Sequence, residues 1–469
     1  MVAPVHLLDF INAALYLMEN VKVQAIIGPQ QSTQTSFVIN LGEEAQVPIV
    51  SFSATSPSLS PLKSPYFVRT AIDDSTQVKA IAAMIQAFEW KEVVLIHEDT
   101  DYGNGLIPYF LDAFQKIDVR MPYKSTIPLD ATDDQILTEL HNLTTMQTRV
   151  FIVHMSSSIG SRFFINVDNA GMMSQGYAWI VTYGLSSLFS HMDPNAISSM
   201  EGVLGVRPYI PKSKELEEFK VKWRRMACSN KSFSEIFEPG LYGLWAYDTV
   251  WALAMAIESF GTLDPQFLNS NTTNNLNDLS SLGYSPIGPQ LLQTILNTSF
   301  RGLTGDFQLV EGQLKSSAFQ IFNVFAEGEK VIGYWTPTGG LSRQLNTTNK
   351  LVNSAFAMSN LKAIVWPGDS TTKPKGWVIP TDGKEYLKIL VPIKDGFEQF
   401  VTVQRDPITN ETINITGFCI DVFSNITSRL PFGLPYVYQY YPLDADVLQD
   451  YNELIDEVYL KVRLIEVDL

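Results

Sequence analysis

Apolar positions in the first 260 residues fall into short, nearly continuous runs separated by stretches of helical spacing. VKVQAII (21–27), QVPIVSF (46–52), EVVLIH (92–97), RVFIVH (149–154) and YAWIVT (177–182) are rich in Val and Ile. Such runs fit parallel strands covered on both faces. Between them, 32–44, 75–89, 103–117, 133–145 and 159–170 read as helices. Asp74 or Ser75 supplies cap chemistry for the second, and Thr132 or Asp133 for the fourth. Strand–helix alternation predicts an open, doubly wound α/β sheet. Ligands in such sheets sit at the carboxyl ends of strands, at the switch point. At the start, Leu7, Leu8, Ile11, Ala14, Leu15 and Met18 keep helical spacing. With no basic residue before them and Asp9 among them, they read as a helix and not a signal peptide.

The run Leu241 to Phe260 is long enough to span a bilayer. Asp248 in its middle would cost about 3 kcal/mol there, so a buried helix is the expectation. Residues 261–286 are rich in Asn, Ser and Thr and read as a long loop. A helix near 287–297 follows, then Gly-punctuated strands in RGLTGDFQLV and FQIFNVFAEGEKVIGYW that predict a hairpin. After a turn-rich stretch come strand 387–393, helix 417–430, strand 435–443 and helix 450–460. Two strand–helix units do not close a two-lobed pocket, so this second domain reads as cut short.

Composition narrows the function classes. The 469 residues are 45% hydrophobic and carry a net charge of 33 − 49 = −16. That balance argues against a nucleic-acid binder, which needs a basic stripe to neutralise phosphates. Cys228 and Cys419 are the only cysteines, which excludes a disulfide-dense scaffold or a Cys-rich zinc module and leaves one disulfide open. In its predicted helix, Cys419 reads as a small core residue. His6, His97, His141, His154 and His191 lack metal-ligand spacing, and GxSxG, GxxxxGK[ST] and strand-following GxGxxG motifs are absent. No enzyme, metal or cofactor is expected. Eight Asn-x-Ser/Thr sequons, at Asn142, Asn230, Asn271, Asn297, Asn346, Asn410, Asn414 and Asn425, point to a secreted or luminal chain.

The feature with most chemical content is a ligand cradle. IIGPQQSTQ (26–34) runs from a strand through a Gly-Pro turn into a helix. The first N–H groups of that helix, with Ser32 and Thr33, can hold a carboxylate. SFSATSPSLS (51–60) follows the next strand and adds Ser53, Thr55 and backbone N–H groups such as that of Ala54. Asp74 and Tyr102 are placed to meet an ammonium. Read without a ligand, the same residues are ordinary N-caps and turns, and the sequence leaves both readings open.

AIIGPQQSTQ, VPIVSFSATSPSLS, YFVRTAIDDSTQ and EVVLIHEDTDYGNG resemble the amino-terminal domain of plant glutamate receptor-like channels. YGLWAYDTVWALAMAIE, LTGDFQL and NVFAEGEKVIGYW continue the resemblance, as do AIVWPGDSTTKPKGWVIP, LKILVPIKDGFEQFVTV, ITGFCIDVF and YNELIDEVYL. The resemblance implies a periplasmic-binding-protein-like type I clamshell of two doubly wound lobes, followed by an incomplete second α/β clamshell. It divides the chain into a ligand-binding region (1–368), a linker (369–386) and the first segment of a ligand-binding core (387–469). It implies an amino-acid ligand, contacted at Ser32, Ser53, Thr55, Asp74 and Tyr102, and homologous subunits that assemble as a tetramer. It also implies a plasma-membrane location on the extracellular side, and dimer contacts through helices near 75–89 and 103–117 on the first lobe. Tyr183 stands where relatives of this family carry an acid. The chain as written has no signal peptide, pore helix or membrane span, so truncation at both ends is expected. The alternatives are a soluble solute-binding protein and a non-functional partial gene product.

Overall fold

The computed structural model describes residues 5–189, 192–229, 238–259, 283–316, 318–325, 328–345, 360–378, 387–393, 399–405, 412–430, 434 and 436–442. Two compact units emerge: Met1–His141 with Val150–Pro374, and Asn142–Arg149 with Lys375–Leu469.

The first unit opens with α1 (Val5–Tyr16), which widens into a π turn over Leu17–Val21. Then come β1 (Ile26–Ile27), α2 (Ser32–Glu44), β2 (Ile49–Ser51), β3 (Phe67–Arg69) and α3 (Ser75–Ala87). Next are β4 (Val94–Glu98), α4 (Asp101–Gly105), α5 (Ile107–Lys116), β5 (Lys124–Ile127), α6 (Asp133–Thr145) and β6 (Val150–His154). The chain continues through α7 (Ser157–Asn169), β7 (Ala178–Val181), α8 (Tyr183–Ser186), α9 (Pro194–Ser198), β8 (Leu204–Pro208), α10 (Lys214–Ser229), α11 (Leu241–Glu258) and α12 (Gly288–Asn297). Six more strands finish the unit: β9 (Ser299–Gly302), β10 (Gly305–Val310), β11 (Gln313–Leu314), β12 (Phe319–Phe325), β13 (Gly328–Thr336) and β14 (Gly340–Ser342).

These strands form two sheets. The first lobe holds β1-β2-β3-β11-β10-β9, and the second holds β14-β13-β12-β8-β7-β6-β4-β5. The chain crosses between lobes at 70–74, at 209–213 and at 315–318, where one sheet's strands hand over to the other's. The parallel strands β4, β6 and β7 are buried at every residue, as near-continuous apolar runs require. The main core joins both lobes, with Val68, Trp245 and Leu314 from the first and Leu95 and Ile180 from the second.

Local chemistry explains several boundaries. Thr132 and Gln135 form a reciprocal capping box at the start of α6. At α3 the cap comes from Asp73, whose Oδ1 accepts the Ser75 N–H at 2.6 Å, so neither Asp74 nor Ser75 supplies it. The segment 103–117 is two helices, because Pro108 lies at the first turn of α5 and cannot donate into a continuous ladder. Helices α3 and α5 pack against each other, and α3 packs on β8 and β14, so both belong to the second lobe and not to the first. The strands β3, β5 and β8 were not marked by any long apolar run. Asp248 is 1% exposed in α11 and accepts from Leu303 N (2.8 Å), Thr304 N (2.9 Å) and Thr304 Oγ1 (2.6 Å). It therefore anchors the β9–β10 turn, and a Cβ at Gly302 would lie 2.6 Å from its carboxylate. Among the described residues no helix is long and apolar enough to cross a membrane.

After β14 the chain returns to the second lobe. Asn323 holds Val365 through N–H and C=O at 2.9 and 3.0 Å, and Trp90 donates to Pro374 O at 2.9 Å. Trp366 completes a ring cluster with Phe88 and Trp90.

In the second unit, β15 (Leu387–Ile393) and β18 (Tyr436–Pro442) pair in parallel, and β16 (Thr402–Arg405) pairs antiparallel with β17 (Thr412–Thr416). Helix α13 (Phe418–Ser428) packs Phe423 edge-on to Tyr436. Cys419 is an exposed free thiol, not a core residue. The expected helix 450–460 and most of the expected loop 261–286 lie outside the described residues.

Candidate functional site

Two turns of the first lobe meet at the carboxyl ends of β1 and β2. Gly28 has φ +119°, a conformation that L side chains rarely adopt, and it lets the chain turn from β1 toward α2. Ser51 ties the turns together: its hydroxyl donates to Pro29 O at 2.8 Å and accepts from Ala54 N at 3.0 Å. The Ser53 hydroxyl donates to Gln30 O at 2.9 Å, and Ser56 N donates to Ser32 Oγ at 3.2 Å. Thr33 is half-buried at the start of α2, while Ser32, Ala54 and Thr55 are buried. Beneath the second turn, the buried Arg69 guanidinium donates to Ser56 O, Leu59 O, Asp73 Oδ2 and Gln313 Oε1 at 2.7–2.9 Å.

The second lobe closes directly on these turns. Ser56 Oγ donates to Asp101 O in α4 at 2.9 Å. A Cβ at Gly105 would sit 2.3 Å from Ser56 Oγ, so this approach needs the missing side chain.

Across the cleft lies a buried polar cluster. Capping by Asp73 frees the Asp74 carboxyl to turn inward. Gln77 Nε2 donates to Asp74 Oδ1 at 2.7 Å, and Gln77 Oε1 accepts the Tyr183 N–H at 2.8 Å, which sets the amide's orientation. The Tyr183 hydroxyl donates to Ile72 O. Tyr102 lies against Gly184, where a Cβ would come 1.8 Å from its hydroxyl, and its ring lies tilted by 38° over His154, with centroids 4.3 Å apart. Two atoms are left over: Asp74 Oδ2 and Tyr102 Oη are buried and make no hydrogen bond of normal geometry, although the Thr55 and Tyr183 hydroxyls stand close enough to pull on Asp74, and Thr182 on Tyr102. Each such atom costs roughly 1–3 kcal/mol.

The electrostatics follow from burial. Asp74 is pushed up to about 8 by desolvation and by Asp73, against pulls from the Thr55 hydroxyl, Arg69 and Tyr183. Burial first, and Asp74 next, raise Tyr102, Tyr183 and Tyr242. Burial lowers His154 to about 3, so its ring is neutral, bonded to Thr182 Oγ1 and Tyr102 O. At neutral pH the cluster holds a protonated carboxyl, three phenols and a neutral imidazole. It can accept from a cationic donor once Asp74 gives up its proton.

The structure thus places Ser32, Thr33, Ser53, Ala54 and Thr55 on one wall, and Asp74 and Tyr102 on the other. Asp74 N donates to Thr55 O at 3.1 Å, which links the two sets. Tyr242 and Gln77 join the cluster without having been singled out from the sequence. Tyr242 sits in an apolar run that reads only as core. Gln77 follows Asp74 by one helical turn, a spacing that is a usable signal. No group of three or more His, Cys, Asp or Glu that could hold a metal occurs among the described residues.

Residues 10–326 match the receptor family ligand binding region. The chain is 45% identical over 453 residues to glutamate receptor 2.2 of Arabidopsis thaliana, covering 96% of this chain and 48% of the relative. It is 45% identical over 453 residues to glutamate receptor 2.3 of the same plant (96% and 49%), and 44% identical over 452 residues to glutamate receptor 2.1 (96% and 48%). The chain therefore spans about half the length of the curated relatives it matches. Among solved structures, a solute binding protein of an ABC transporter from R. palustris, in complex with benzoate, superposes with a TM-score of 0.56 at 14% identity. That match covers 72% of this chain and 84% of the other, and the shared fold is the type I periplasmic-binding-protein-like clamshell.

Proposed function

The chain belongs to the receptor ligand-binding-region family as a plant glutamate receptor-like member, and from that premise we propose that residues 1–368 sense an amino acid outside the cell for a ligand-gated cation channel. Residues 369–386 then serve as the linker, and 387–469 as the first segment of the channel's second ligand-binding core. The observation that carries this reading is the pair of unpartnered buried atoms, Asp74 Oδ2 and Tyr102 Oη, in the closed cleft. A ligand ammonium gives Asp74 Oδ2 the donor it lacks, and Tyr102 Oη a partner as well. The ligand carboxylate meets the first N–H groups of α2 and the Ser32, Thr33, Ser53, Ala54 and Thr55 turns on the opposite wall. Binding and orientation are the whole of the chemistry, and no residue pair in the cleft is arranged to attack the ligand.

Tyr183 gives no second carboxylate to the cleft, because its hydroxyl is committed to Ile72 O. Asp74 alone balances the ammonium, and it must release its proton to do so. Closure on the ligand favours one lobe arrangement, and in the full-length relatives' architecture this would bias a gate across the plasma membrane among homologous subunits. Asn142, Asn297 and Asn425 are each exposed and accept glycans in this reading.

Calorimetric titration of the folded chain with the twenty amino acids, at pH 7 in buffers of different ionisation enthalpy, tests the reading. We expect binding with close to one proton released per ligand. A folded sample that gives no heat with any of them overturns it.

A further inference from the structure

The described residues also line a half-open pocket of about 450 Å³ away from the cradle, bordered in part by Ile72, Pro208, Leu241, Trp245, Leu314 and Lys315. Its volume lies in the range of small-molecule sites. None of Ser32, Thr33, Ser53, Ala54, Thr55, Asp74 or Tyr102 lines it. Its position is set by topology. Ile72 comes from the first lobe crossing, Pro208 borders the second and Pro211 lies within it, and Leu314 borders the third and Ala318 lies within it.

The lining mixes apolar and polar groups; Leu241 and Trp245 from the first turns of α11 contribute only edges, being 7% and 1% exposed, while Tyr209, Ile210 and Pro211 are half-buried. Its charges stand at the rim, where Lys315 and Asp306 are both exposed. Asp306 lies opposite Arg301 in the β9–β10 ladder, which supplies a counter-charge of its own. Lys315 reaches only the neutral Gln308 Oε1, at 3.4 Å, and makes no ion pair among the described residues. With Asp306 facing Arg301, Lys315 is the rim charge left to a ligand, and the pocket suits a molecule with an apolar body and an anionic end.

We propose that this hinge pocket is a second small-molecule site, for a compact apolar monocarboxylate whose hydrocarbon body packs among Tyr209, Ile210 and Pro211 over Trp245 and whose carboxylate meets Lys315. Because Ile72, Pro208–Pro211 and Leu314–Ala318 belong to or adjoin the lobe crossings, the occupant touches segments whose dihedral angles change when the lobes move. Its affinity therefore depends on the hinge angle, and by reciprocity it shifts the affinity of the cleft for its own ligand. Tyr183 stands between the two sites: its hydroxyl bonds Ile72 O and its ring meets Trp245 edge-on, with centroids 6.2 Å apart. The site itself does not rest on the cleft reading, since it needs only the pocket and Lys315.

The test titrates the full chain with 3-phenylpropanoate and with the neutral 3-phenylpropanamide. The acid is expected to bind one-to-one at sub-millimolar concentration and roughly fivefold more tightly than the amide, as one solvent-exposed charge contact allows. In Lys315→Gln, an exposed position outside the core, the acid weakens to the level of the amide and the amide is unchanged. Crystals soaked with the acid should show it between Trp245 and Lys315. Absence of heat at millimolar acid, an unaltered acid affinity in Lys315→Gln, or density for the acid only beside Asp74 would each overturn the proposal.

Discussion

The two walls of the cleft use polar residues in opposite ways. On the first-lobe wall, the turns at 28–33 and 51–60 spend their hydroxyls on each other: Ser51, Ser53 and Ser32 all hold backbone groups of the facing turn. The second-lobe wall has fewer polar side chains and leaves two of their atoms unsatisfied. A hydroxyl-rich sequence is therefore not the same as an available set of hydroxyls. The first wall is a frame whose shape and N–H groups matter, with Gln34 Oε1 and Arg69 Nε left unmatched behind it, while on the second wall the unmatched atoms, Asp74 Oδ2 and Tyr102 Oη, sit in the polar cluster itself.

The largest break in that comparison would come from beneath the frame. Arg69→Met removes a buried guanidinium with four acceptors and strands Asp73, so a loss of about 3–5 kcal/mol in urea unfolding is expected. A loss under ~1 kcal/mol would mean that the turns hold themselves.

Asp74 sharpens the other wall through pH. Its carboxyl rises from an ordinary 3.8 to about 8 on folding, so the folded state keeps a proton that the unfolded state has lost across that window. Stability then falls as pH rises between these values, by up to ~1.4 kcal/mol per pH unit, or roughly 2 kcal/mol between pH 6 and 8. Asp74→Asn should abolish that component and weaken amino-acid binding, as read from paired melts and titrations. A mutant with the wild-type slope would show that Asp74 is not the group. His154, lowered to about 3, acts with the reverse sign: its contribution is complete above its unfolded value and is lost as the pH falls toward 3.

The smallest effect belongs to the stitch itself. Ser51→Ala frees Pro29 O and Ala54 N together and should cost about 1 kcal/mol by chemical denaturation, with ligand affinity falling in parallel. Unchanged stability would show that the two turns do not depend on each other.

Legibility varied with the range of the interaction that made each element. Helix 32–44 and strand 387–393 appear with the bounds their patterns imply, because capping and apolar periodicity are written into adjacent residues. Asp248 was readable as a residue of a buried helix, since a carboxylate in an apolar run has few other homes. Its three donors, 55 and 56 residues away, were not readable. Strands β3, β5 and β8 escaped because three to five residues carry little periodicity, and they exist as strands through their neighbours in the sheets. The lobe to which α3 and α5 belong depends on where the chain crosses, which no local pattern records.

The sequence by itself determined the α/β alternation, the polar turns after β1 and β2, and the family, since each rests on the order of residue types along the chain. Tertiary structure alone decided which hydroxyls were consumed, that Asp73 caps while Asp74 turns inward, and that Asp74 holds its proton near neutrality. The reason is that hydrogen-bond satisfaction and desolvation are set by groups distant in sequence and adjacent in space, as Gln77 and Tyr183 are around Asp74.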